Sequence, residues 1–194
     1  MTIILASASP RRREILTTLG VDFTVRTADA DETCDLTDPG GRVEAISLKK
    51  CLAVRDLLAA EGSLDSDTLI IASDTLVTLD GLFLGKPRDE DDARRMLGML
   101  QGRTHTVASG LAIWMDGRTV TAHELTGVTF APMSEAEIET YLSTGESFGK
   151  AGAYAVQGYA SRYIVGIEGD YFNVVGLPAR RLYETLKEEL GIIL

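Results

Sequence analysis

Residues 68–87 read TLIIASDTLVTLDGLFLGKP. Leu69–Ser73 is a short apolar run with β-branched residues, the pattern of a buried strand. Asp74 interrupts the run, and the spacing predicts that the strand breaks there. TLVTL and LFLG then flank Asp80-Gly81, a dipeptide suited to the tight turn of a β-hairpin. A hairpin demands antiparallel pairing, whereas the strands and helices around it alternate, which favours parallel pairing. The sequence therefore predicts an α/β fold with a mixed sheet.

Upstream, TIILAS (2–7) reads as a strand, followed by a helix with Ser9 as N-cap, Pro10 at its first position and Gly20 past its end. VDFTVRTA (21–28) reads as a second strand, and DADETCDLTDPGG (29–41) as an acidic loop. From Gly41 to Ala60, apolar residues at Val43, Ile46, Leu52 and Leu57 mark an amphipathic helix. Downstream, DEDDARRMLGML (89–100) is a helix with an acidic first turn, stopped by Gly102, and residues 104–130 form two long strands around Asp116-Gly117. Ser134 and Glu137 make a capping box for a helix that Gly145 ends. Residues 149–178 read as glycine-studded loop and strand, and PARRLYETLKEEL (178–190) as the closing helix. No repeat or linker divides the chain, so residues 1–194 are expected to form a single domain.

Composition narrows the function. With 19 Lys and Arg against 29 Asp and Glu, the formal net charge of −10 argues against a broad nucleic-acid footprint. A small anion remains possible where positive charge is concentrated. Cys34 and Cys51 are too few for a disulfide framework, and with two histidines too few and scattered for a zinc site. No apolar run reaches membrane-spanning length, and MTIIL is shorter than a secretory h-region, so the expected location is cytoplasmic.

Four short constellations carry possible chemistry. Ser7 and Ser9 precede a helix whose first turn holds Arg11, Arg12 and Arg13; hydroxyls, free N–H groups and guanidinium forks suit a phosphate, although a capped helix with a solvated basic face explains the same residues. Asp74 in ASDT is a candidate metal ligand or general base, or a hairpin cap. Lys86 beside Pro87, and Lys49 or Lys50 on the long helix, are point charges for phosphate, while Glu32 is a candidate cation ligand. In GKAGAYAVQG, small residues admit a flat ligand and Gln157 offers the donor and acceptor that read a pyrimidine imide edge; Tyr154 either stacks or packs in the core. His105 and His123 lack a partner carboxylate at telling spacing and read as structural or surface residues.

Taken together, LASASPRR (5–12), DET (31–33), KKC (49–51), ASDT (72–75), GKP (85–87), GKAGAYAVQG (149–158) and GDYFNVVGLP (169–178) resemble the Maf-like nucleoside triphosphate pyrophosphatases, in order and over nearly the whole chain. The resemblance implies an elongated, inosine-triphosphatase-like α/β fold with two lobes around a cleft. It also implies hydrolysis of a nucleoside triphosphate to the monophosphate and pyrophosphate with a divalent cation, Mg2+ or Mn2+. By the same resemblance Asp74 is the proton acceptor, and Lys86, which faces phosphate, is counted with it as catalytic. Arg11, Thr75 and Gln157 govern substrate choice, Ser7, Arg12 and Lys50 face phosphate, and Glu32 joins Asp74 at the metal. LKKC departs from the family's lysine-alanine pattern, and Lys50 rather than Lys49 is matched to the site; Arg13, beyond the usual arginine pair, is expected to point outward. Thr75 and the neutral Gln157 resemble the branch that prefers dTTP and UTP, where a 7-methyl-GTP branch has glutamine and glutamate. The family makes a homodimer plausible, and its history of links to cell-division arrest leaves a non-hydrolysing, nucleotide-sensing role as the alternative.

Overall fold

A computed structural model describes all residues, 1–194. Seven strands, β1 (Thr2–Leu5), β2 (Thr24–Val25), β3 (Thr68–Leu79), β4 (Leu82–Leu84), β5 (Thr104–Met115), β6 (Arg118–Phe130) and β7 (Ile164–Glu168), form one mixed sheet. Its order is β2-β1-β3-β5-β6-β7, with β4 also bonded to β3. The pairs β1/β2 and β1/β3 are parallel and the rest antiparallel. The connections dictate this pattern. Helices α1 (Pro10–Thr18) and α2 (Pro39–Ala60) lie in the crossovers that precede β2 and β3, whereas β3–β4 and β5–β6 turn back directly. Both turns are Asp-Gly pairs with positive φ throughout, 51° and 79° at Asp80-Gly81 and 46° and 77° at Asp116-Gly117, the left-handed conformations that a two-residue hairpin needs. Helices α3 (Glu90–Leu100), α4 (Glu135–Leu142), α5 (Tyr171–Val175) and α6 (Ala179–Leu190) complete the fold.

Period-two alternation in β3 separates two cores. Leu69, Ile71, Val77 and Leu79 join the larger one with residues of α1, α3, α4 and α6, while Ile70 and Ala72 pack with Ala112, Trp114 and α2 residues Cys51, Val54 and Leu58. Gly110 of β5 brings α2 close, because a Cβ there would overlap the backbone of Val43 and Glu44.

The expected break at Asp74 does not occur. β3 runs unbroken for 12 residues because β5 pairs with it from Leu69 to Thr78. The interruption lies on its other edge: β1 stops opposite Ile71, and β4 reaches back only as far as Val77. Residues 72–76 therefore have no neighbouring strand on that side, and polar residues there face an opening rather than a turn.

Other differences are local. The second strand shrinks to Thr24–Val25, and α2 starts at Pro39, two residues before the expected Gly41, because Asp38 accepts a bond of 2.6 Å from the Gly41 N–H. Ser9 occupies the N-cap position of α1 without a side-chain capping bond; its own N–H donates to Ser7 Oγ at 3.3 Å. The region expected as loop and strand also holds two 3-10 turns and the short helix α5. The Ser134–Glu137 capping box forms as expected. No helix is long and apolar enough to cross a membrane.

Candidate active site

Over the gap in the β3 edge opens a cleft of about 710 Å³. The strand delivers two different chemistries into it, since successive residues face opposite sides. Asp74 points towards α2, where Lys50 Nζ donates to its Oδ1 at 2.6 Å and lies 3.1 Å from Glu32 Oε1. Asp74 and Lys50 are mostly buried, whereas Glu32 is 60% exposed on the acidic loop. Asp74 Oδ2 accepts no hydrogen bond from the protein. Lys49, one residue earlier on the helix, turns to the loop and donates to the Thr33 carbonyl at 2.7 Å. The adjacent lysines thus diverge, and Lys50 is the one beside Asp74.

The other face of β3 meets the arginines. Arg12 spends three of its five N–H donors on protein: Nε on the Gly176 carbonyl at 2.8 Å, Nη1 on Ser7 Oγ at 3.0 Å and Nη2 on Thr75 Oγ1 at 3.2 Å. Arg11 Nε donates to the Val175 carbonyl at 3.3 Å, and Arg13 is exposed, as expected. Burial lowers the pKa of both Arg11 and Arg12, opposed by Glu14 for the first and by Asp74 and Glu32 for the second. Desolvated guanidinium groups with donors to spare gain from an incoming anion.

These arginines are aimed by a part of the chain that sequence reasoning quoted but gave no role. Gly176, at φ 128°, also accepts from Ser73 Oγ at 3.2 Å. Thr75 shares a hydrogen bond with Ser109 at 2.8 Å, and Ser109 donates to the Asn173 carbonyl at 2.9 Å. The fully buried Asn173 donates to the Val107 carbonyl at 2.9 Å and Thr126 Oγ1 at 2.8 Å, fastening α5 to β5 and β6. Ser73, Ser109 and Asn173 were missed. The available signal was a polar residue inside an otherwise apolar run, which must find partners when buried.

Lys86 and Gln157 lie exposed on the cleft wall and bond to no other residue. Lys150 joins them, donating to the carbonyls of Glu146 at 2.6 Å and Phe148 at 3.3 Å; burial and Arg11 lower its pKa. Arg42 lies over the Phe83 ring, 4.7 Å from its centroid. Arg11, Arg12, Arg42, Lys50, Lys86 and Lys150 line the cleft against only Glu32 and Asp74. A protein of net charge −10 therefore carries a locally positive cavity. Tyr154 packs in the large core, its hydroxyl 2.7 Å from His105 Nε2, although it also borders the cleft. His123 does have a carboxylate partner: Glu44, supplied by α2, which also accepts from Thr121 at 2.6 Å. That pairing was hidden because the partners are far apart in sequence.

No group of three or more His, Cys, Asp or Glu side chains forms a metal cage. Glu32 and Asp74, both within ion-pair distance of Lys50, still fit a hard divalent ion of the magnesium type, which takes one or two carboxylates and draws its remaining oxygens from phosphate and water.

A cleft lined by cations, with one ion-paired carboxylate at an open strand edge, defines a binder of small polyanions. The Maf-like protein family model matches residues 2–189, and the chain belongs to that family. It is 49% identical to the dTTP/UTP pyrophosphatase of Pelotomaculum thermopropionicum over 96% of this chain and 95% of that one. It is 46% identical to the protein of the same name from Moorella thermoacetica, covering 95% and 93%. A Bacillus cereus protein of that name is 43% identical, covering 96% and 94%. Among solved structures, the Staphylococcus aureus Ham1 protein is similar with a TM-score of 0.48 and 16% identity, over 68% of this chain and 72% of that one.

Proposed function

We propose that this protein is a nucleoside triphosphate pyrophosphatase that hydrolyses dTTP and UTP between the α and β phosphates, releasing the monophosphate and pyrophosphate. The observation that carries the reading is Asp74: a carboxylate at the open edge of β3, held by Lys50 through one oxygen, with the other oxygen free of protein donors in a cationic cleft. The names of its near-full-length relatives support the substrate class.

In this mechanism Lys50 fixes the orientation of Asp74, and Asp74 Oδ2 takes one proton from a water in line with the α phosphorus. The water oxygen bonds to that phosphorus as the bond to the bridging oxygen breaks, and pyrophosphate leaves with the bonding pair. Arg12, already aimed by Ser7, Thr75 and Gly176, donates its remaining N–H groups to phosphate oxygens; Lys86 supplies a further positive charge. Glu32 and Asp74 would hold the divalent cation, which when bound neutralises phosphate charge. Gln157 and Arg11 contact the base end of the substrate. The whole chain acts as one catalytic unit, in the cytoplasm where these nucleotides are drawn upon, as a monomer or a homodimer.

Product analysis tests the reading. With Mg2+ or Mn2+, dTTP and UTP are expected to give monophosphate and pyrophosphate in equal amounts, faster than CTP or 7-methyl-GTP, and chelation to stop the reaction. Diphosphate and inorganic phosphate as products would contradict it. Tight binding without turnover would favour the nucleotide-sensing alternative.

A further inference from the structure

Gln157 sits in a turn closed by a bond of 3.1 Å from the Gly158 N–H to the Ala155 carbonyl. Its side chain is exposed and makes no hydrogen bond within the protein, so its aim depends on the turn. An unusual group secures that turn from behind. The Glu146 carboxylate accepts from the Tyr159 N–H at 2.8 Å, the Tyr141 hydroxyl at 3.0 Å and the Ala160 N–H at 3.4 Å, and has no lysine or arginine partner. Tyr141 is fully buried, so its hydroxyl has a fixed position. Gly158 lies flat against the same carboxylate: a Cβ there would overlap it. The Glu146 carbonyl in turn accepts from Lys150, which borders the cleft.

A half-buried carboxylate held only by neutral donors costs more desolvation than an apolar plug would. Here its two oxygens tie the two successive backbone N–H groups that leave the turn to the buried Tyr141 hydroxyl, which an apolar residue cannot do. We propose that Glu146 is a positioning residue for nucleobase recognition, bolting the Ala155–Gly158 turn so that Gln157 meets the pyrimidine edge at a fixed angle. The proposal rests on the reading of Gln157 as the base-contacting amide. An amide carries both a donor and an acceptor, and distinguishes the uracil edge from the cytosine edge only if its approach is constrained.

The test is the ratio of kcat/KM for UTP to that for CTP in wild type, Gln157→Ala, Glu146→Gln and the double variant. Gln157→Ala is expected to lower the ratio about tenfold, the scale of one site hydrogen bond that discriminates. Glu146→Gln lowers it in the same direction, mainly through KM for UTP, and the double variant falls no further than Gln157→Ala alone, because both remove one function. Glu146→Gln slowing both nucleotides alike, or effects that multiply in the double variant, would overturn the positioning role while leaving Gln157 in place. An unchanged ratio in Gln157→Ala would remove the base-reading role, and this proposal with it. Should Glu146→Gln fail to fold, Tyr141→Phe removes one of the three donors, and the same ratio decides with the same outcomes.

Discussion

Two adjacent lysines show how much one residue's direction matters. Lys49 and Lys50 are chemically identical, yet only Lys50 meets Asp74, because each helical step turns the side chain by about 100°. Lys50→Met removes the ammonium that fixes the mostly buried Asp74 carboxylate and lies beside Glu32, and kcat/KM for UTP is expected to fall by about 10²-fold or more. Lys49→Met loses only loop contacts and should stay within about threefold. Equal losses in steady-state assays of the two variants would contradict the assigned directions. At this scale the sequence was informative wherever residue type implied chemistry: Asp74, Lys50, Glu32, Arg12 and Ser7 are brought together by the fold. It was silent on Ser109 and Asn173, whose importance arises only from which backbone carbonyls they reach.

Elements were legible where their signals were local. Both Asp-Gly hairpins, the Ser134 capping box and the Pro10 helix start follow from short-range stereochemistry and appear as read. The continuity of β3 through Asp74 was not legible, since it depends on β5, a partner some forty residues on in sequence, filling one edge while β1 and β4 leave the other open. The helix in GDYFNVVGLP was missed because its five residues are stabilised by packing and by Asn173 rather than by an amphipathic repeat. The seating of α2 on β5 yields a test at this scale. A methyl group at Gly110 would overlap the α2 backbone at Val43, so Gly110→Ala should destabilise the protein by about 2 kcal/mol or more by forcing the helix away. Since α2 carries Lys50, activity should fall in the fraction that remains folded. Denaturant unfolding and kinetics of the same sample check both; a stable, fully active variant would mean that the helix is seated elsewhere.

Across the whole molecule, surface and cleft have opposite electrostatic character, and burial sets a limit in acid. His105 is buried, and desolvation pushes its pKa down to about 4. The unfolded chain, with an ordinary histidine near pH 6.5, binds that proton more readily, so stability falls as pH drops through the window from about 6.5 to 4. Above that window His105 is neutral in both states and contributes no slope. The full loss is on the order of 3 kcal/mol. Urea midpoints should therefore decline more steeply over this range in wild type than in His105→Gln, and parallel profiles would contradict the assignment. The sign and size of the net charge were legible from composition, and Arg11, Arg12, Lys50 and Lys86 were matched to a phosphate site through the family resemblance; Arg42 and Lys150 were not, because nothing local in the sequence says that their segments border the same cleft.

The central claim is that Asp74, oriented by Lys50, acts on water while Arg12 and Lys86 hold the phosphates. Its most direct test is Asp74→Asn beside wild type, with pyrophosphate release from UTP and UTP binding measured on the same folded preparations. The amide keeps the shape and cannot take the proton, so kcat should drop by about 10²- to 10⁴-fold while binding changes by less than about tenfold. Wild-type turnover in a folded Asp74→Asn protein would contradict the account.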